Sequence, residues 1–101
     1  ERPTPAQALD VLRAWRGAES TWKLPSRPEY PLAVTDAPDR PQPRRDVGAG
    51  DGMTVTVGRV REDSVLDIRL VALGHNTIRG AAGGSVLNAE LLAATGRFDS
   101  V

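Results

Sequence analysis

Six of the eight prolines in the chain fall between residues 24 and 46, in "LPSRPEYPLAVTDAPDRPQPRRD". Proline lacks a backbone N–H and fixes φ near −65°, so neither a continuous helix nor a central strand can pass through such a stretch. Helix is therefore excluded over residues 24–46. Residues 30–35, "YPLAVT", are the one candidate strand, placed at a sheet edge by Pro31. The remainder reads as an ordered, extended crossing over a sheet. The rival reading is a polyproline ligand, because Pro38 and Pro41 make a PxxP pair with Arg44 and Arg45 close by. Pro43, however, stands where a flanking basic residue is expected, and the crossing is preferred.

A chain of 101 residues makes one small domain at most. Thirteen acidic side chains balance thirteen basic ones, which points to no nucleic-acid partner and no acidic membrane surface. Without cysteine there is no disulfide framework, no thiolate nucleophile and no zinc site of the usual kind. No apolar run approaches the roughly 20 residues that span a bilayer, and no signal peptide opens the chain. The expectation is a soluble, cytoplasmic protein. Opening at Glu1 rather than Met, the sequence reads as processed or truncated.

Around the proline segment, hydrophobic periodicity sets out the other elements. Residues 4–16 predict a helix, with Thr4 at the N-cap, Pro5 at the first helical position and Gln7 completing a capping box. Leu9, Leu12 and Trp15, with Ala8 and Val11, form its apolar stripe, and Gly17 ends it. Alternation predicts strands over residues 53–60 and 65–73, joined by the four-residue loop "REDS" as an antiparallel hairpin. In the second strand Leu66, Ile68, Leu70 and Ala72 should face the core, with Asp67 and Arg69 outward. The glycine-rich "GAGDG" before the first strand is not a phosphate loop, since no Lys-Ser/Thr follows and it leads into a strand.

The last element, residues 85–95, is apolar on almost every side. Val86, Leu87, Ala89, Leu91, Leu92, Ala93 and Ala94 spread around the wheel, broken by Asn88 and Glu90. Such a helix is normally sandwiched between two layers, and this chain is too small to supply both. The expectation is that it projects from the sheet or buries its apolar side only against another chain. Truncation after Gly84 should then leave the hairpin folded.

Chemistry is sparse. His75 is the lone histidine, with no nucleophile elbow near it and no second metal ligand. It reads as a hydrogen-bonded structural residue. The junction between the second strand and the last helix, "GHNTIRGAAGGSVLNAELL", is more informative. Small residues from Gly80 to Gly84 permit close approach, and a helix N-terminus offers free N–H groups. The amide of Asn76 can donate and accept at once, which matches a carboxamide. Tight packing of helix on sheet would account for the same glycines.

Three blocks, "DRPQPRRD" (residues 39–46), "GDGMTVTVGRVRED" (50–63) and "GHNTIRGAAGGSVLNAELL" (74–92), closely resemble in order the C-terminal part of aspartate-semialdehyde dehydrogenase, in its archaeal and fungal-type branch. "LPSRPEYPL" (24–32) fits the same family. The resemblance implies an α+β fold: part of a catalytic and dimerisation domain, with an antiparallel or mixed sheet and flanking helices. It implies a complete enzyme that interconverts aspartyl phosphate and aspartate semialdehyde with NADP and a cysteine thioester, as a homo-oligomer. Residues 1–101 would be a single partial domain, with 80–95 a closing helix packed on an absent NADP-binding domain. By the same resemblance Asn76 matches an amide beside the nicotinamide carboxamide.

The departures are equally informative. The family's glycine-rich nucleotide-binding start, its catalytic cysteine and its substrate-binding arginine with the catalytic histidine have no counterpart here, and His75 does not match that histidine. No catalytic residue and no metal ligand is therefore assigned, and the chain alone should be inert. A malonyl-CoA reductase of the same superfamily and a stand-alone interaction module derived from this domain are the alternatives.

Overall fold

The computed structural model describes residues 1–99; the last two residues of the expected 1–101 unit lie outside the described residues. Its first helix, α1, runs Pro5–Ala14 and is stopped two residues short of the predicted end. The capping box forms as the residues dictate: the Gln7 N–H donates to Thr4 Oγ1 at 3.2 Å and the Thr4 N–H donates to Gln7 Oε1 at 2.9 Å. α1 rests on the first two strands through its half-buried Ala8, Leu9 and Leu12 side. Val11 and Trp15 were expected in that stripe but lie exposed, because the helix meets only one thin layer.

Three strands follow: β1 (Leu32–Val34), β2 (Val55–Asp63) and β3 (Asp67–Leu73), in the order β1-β2-β3. β1 is parallel to β2, with Leu32 opposite Val55 and Val34 opposite Val57, and it lies at the edge where Pro31 places it. β2 and β3 form an antiparallel hairpin, so the sheet is mixed. β2 reaches Asp63, and the turn tightens to residues 64–66 in place of the predicted "REDS" loop. The cause is local: the Asp63 carboxylate accepts the N–H groups of Val65 (3.1 Å) and Leu66 (2.8 Å). Those two apolar side chains are left at the exposed tip.

A β-bulge between Gly58 and Arg61, with Arg59 at φ 52°, breaks the simple alternation. The face of β3 expected to be buried is mostly open. Leu66, Leu70 and Ala72 are exposed and Ile68 is half-buried, because no layer of this chain covers that row.

The proline segment does cross the sheet. A Cβ on Gly58 would lie 2.9 Å from Pro41 Cδ and from Thr35 Cγ2, so the glycine is what lets the crossing sit down on β2. Pro41 is buried, which removes it from any polyproline-ligand role. One expectation fails here: a four-residue helical turn, α2 (Pro43–Asp46), forms inside the stretch from which helix was excluded. Pro43 occupies its first position, where a missing N–H costs nothing. The turn brings Asp46 under Arg40, whose guanidinium donates twice to the carboxylate while the Gln42 N–H donates to Oδ2 at 2.7 Å. Asp46 is buried, and these donors hold its carboxyl below the usual carboxylate range.

The final helix, α3, spans Gly83–Ala94 and is entered through a π-helical turn, Ile78–Ala82. Leu87, only 4% exposed, packs with Leu24 and Met53 in the main core cluster, flanked by Ile78 and Leu91. The Glu90 carboxylate accepts the Ser26 N–H at 2.7 Å and ties the same side of the helix to the proline segment. The expectation that this helix would project or pack only on another chain is thus corrected. One stripe is docked within the chain, and truncation after Gly84 would strip Leu87 from the core. The opposite side is bare, with Val86 52% and Leu92 43% exposed.

Candidate functional site

The junction between β3 and α3 is the part of the molecule whose residue types carry recognisable chemistry. β3 ends at Leu73, and the chain turns at Gly74 into "HNT" before winding into the π-helical turn. His75 initiates that winding. Its Nδ1 accepts the N–H of Ile78 at 3.1 Å and that of Thr77 at 3.3 Å, with Thr77 Oγ1 also at 3.3 Å. An accepting Nδ1 assigns the proton of the neutral ring to Nε2. The imidazole is therefore committed as a cap, the structural role its isolation in the sequence suggested.

This capping also changes where the free helix N-terminus was expected. Winding starts at Ile78 rather than at Ser85, and three of the N–H groups in between are used: Gly80 donates to His75 O, Ala82 to Thr77 O and Gly83 to Ile78 O. π-Helical turns of this kind recur at functional sites.

The small residues separate into two sets. Gly83 is required by the chain itself, since a Cβ there would lie 2.8 Å from Ile78 O and would also strike Met53 Sδ. Gly84 is required too, pressed against the Arg79 carbonyl. Gly80 is different: a Cβ would meet only His75 O at 3.5 Å and Asn76 Oδ1 at 3.9 Å, which is ordinary contact. Gly80, Ala81 and Ala82 are exposed, and so is Asn76. The outer surface of the turn is thus a shallow face of small side chains with one bifunctional amide at its rim. It has room for a planar group and a partner for a carboxamide.

The Arg79 guanidinium faces Glu19, which belongs to a 3₁₀ turn at Ala18–Thr21, with Nη2 and Oε1 3.8 Å apart. Nothing in the sequence pairs these residues, and only the fold brings them together. Among the described residues no group of three or more His, Cys, Asp or Glu side chains is placed to hold a metal ion. No described helix is long and apolar enough to cross a membrane.

Comparison with known proteins finds relatives of this chain. The profile of the family "Semialdehyde dehydrogenase, dimerisation domain" matches residues 2–79. The aspartate-semialdehyde dehydrogenase of Archaeoglobus fulgidus is 56% identical over 69 residues, covering 68% of this chain and 20% of that protein. A malonyl CoA reductase (NADP) of Metallosphaera sedula is 44% identical over 95 residues, 92% of this chain and 27% of that one. The crystal structure of aspartate semialdehyde dehydrogenase with NADP from Candida albicans superimposes with a TM-score of 0.80 at 47% identity. It covers 93% of this chain and 26% of its own. The chain therefore spans about a quarter of the length of the relatives it matches.

Proposed function

The chain belongs to the family of semialdehyde dehydrogenase dimerisation domains, and from that premise we propose that it is the C-terminal portion of an NADP-dependent aspartate-semialdehyde dehydrogenase of amino-acid biosynthesis. The observation that carries the reading is the 47% identity and 0.80 TM-score over 93% of the chain to such an enzyme solved with NADP. The complete protein would act in the cytoplasm and interconvert aspartyl phosphate and aspartate semialdehyde. The cysteine nucleophile and its general base would come from the part of the enzyme outside this chain, which itself has no cysteine.

Within that enzyme this chain has three tasks. The exposed row of Leu70 and Ala72 on β3, with Leu66 at the hairpin tip, faces a second subunit. The bare side of α3, with Val86 and Leu92, packs on the nucleotide-binding part. The Asn76 amide would hold the nicotinamide carboxamide beside the exposed small residues Gly80, Ala81 and Ala82. The cofactor, when bound, supplies or accepts the hydride. Asn76 fixes the orientation of its ring, and the small residues allow the approach.

The malonyl CoA reductase relative, at 44% identity, supports a second reading in which the same scaffold serves a thioester substrate. The two are separated by giving the purified complete protein both reactions. NADPH formation from aspartate semialdehyde, NADP and phosphate, without NADPH oxidation by malonyl-CoA, is the expected result. The reverse pattern would establish the reductase.

A further inference from the structure

Glu19 and Arg79 are poised rather than locked. At 3.8 Å their nearest atoms attract electrostatically but lie beyond hydrogen-bond range. The side chains keep only 13% and 30% of their exposure, and Glu19 Oε1 and Arg79 Nη1 lack any hydrogen-bond partner among the described residues. Mostly buried, oppositely charged groups without their hydrogen bonds are a costly arrangement, relieved by a shift of about 1 Å to the ~2.8 Å of a charge-assisted bond. The carboxylate is aimed by its own turn. Gly17 has φ 81°, and a Cβ there would lie 2.7 Å from Glu19 Oε2, so the glycine leaves the space into which the acid folds back. Arg79, for its part, sits in the π-helical turn that carries the open small-residue face, three residues after Asn76.

We propose that Glu19 is a positioning residue of the enzyme: through Arg79 it holds the turn of residues 76–82 at the height at which Asn76 meets the cofactor. Glu19 touches neither cofactor nor substrate. It acts on the turn only through Arg79, and closure of the pair is coupled to occupation of the open face of Gly80, Ala81 and Ala82. The proposal rests on the nicotinamide-side reading of Asn76.

The test uses the complete enzyme and four variants: Glu19→Gln, Glu19→Asp, Arg79→Lys and Asn76→Ala. NADP affinity is read by calorimetric titration, the KM for NADP and kcat by steady-state rates, and stability by thermal melts. Glu19→Gln should raise both the Kd and the KM for NADP by roughly tenfold, with kcat at saturating cofactor close to that of the wild type. Glu19→Asp, which restores the charge but one methylene farther from Arg79, should recover only part of the loss. If Glu19→Gln does not fold, Arg79→Lys, which keeps the charge but not the fork of donors, should show the same split between KM and kcat. An unchanged Kd in Glu19→Gln beside a weakened Kd in Asn76→Ala overturns the positioning role and leaves the nicotinamide reading standing. An unchanged Kd in both overturns the two together. A change in melting temperature alone, with cofactor affinity untouched, reduces the pair to a structural contact and also overturns the proposal.

Discussion

At the scale of single residues, the small side chains after β3 have opposite jobs, and substitution tells them apart. Gly83→Ala drives a methyl group into Ile78 O and Met53 Sδ, and the melting of the chain should register an overpacking loss of about 1–3 kcal/mol. Gly80→Ala meets no close contact, so stability should stay within about 0.5 kcal/mol of the wild type. In the complete enzyme the same change should weaken NADP binding, because the added methyl group sits on the open face. Asn76→Ala should cost roughly 1–3 kcal/mol of cofactor binding, the penalty of leaving a buried amide partner unpaired. Wild-type affinity in both variants would take the cofactor away from this face. The sequence made Asn76 and the glycine run visible, but it could not divide the run. That division depends on Met53 and Ile78, which approach from other elements. Nor could it announce Glu19, whose partner lies far along the chain, although Gly17, placed only as a helix stop, also makes room for that carboxylate.

Among the elements, α1 and β1 were readable because their signals are local: a capping box at Thr4 and Gln7, and a proline at the edge of a short apolar run. The hairpin was readable in kind but not in register, since the Asp63 turn and the bulge at Arg59 shift which side chains face out. α3 was readable as a helix, whereas its docking depended on Leu24, a distant residue that nothing marked as its partner. Leu87→Ala should therefore destabilise the fold by about 2–5 kcal/mol, while Leu92→Ala in the isolated chain should cost well under 1 kcal/mol. Equal losses in thermal melts would mean that both sides of α3 are covered. The proline crossing carries a pH signature. The Arg40 hydrogen bonds, with the Gln42 N–H, lower the Asp46 pKa in the folded state, so their stabilisation is complete above the unfolded carboxylate value of about 3.9. It is lost as pH falls through the lower folded value. Melting temperatures should thus drop more steeply below about pH 4 in the wild type than in Arg40→Gln, and parallel curves would show that the pair is not coupled to folding.

The whole molecule is flatter and less filled than a finished domain of its length. Its radius of gyration is 15.7 Å, against about 13 Å for a compact chain of this size. Its extents are 51 × 35 × 21 Å, and among the described residues no large side chain is completely buried. Apolar rows on β3 and on the back of α3 remain uncovered, which supports the proposal that further layers of a larger enzyme lie against them. The most direct test of that claim is the initial rate of NADPH formation from aspartate semialdehyde and phosphate, measured for the complete protein and for this chain alone at equal concentration. Turnover by the complete protein and none by the chain, which lacks the thiol nucleophile, is the expected result. NADP-dependent turnover by the chain alone, or none by the complete protein, would contradict it.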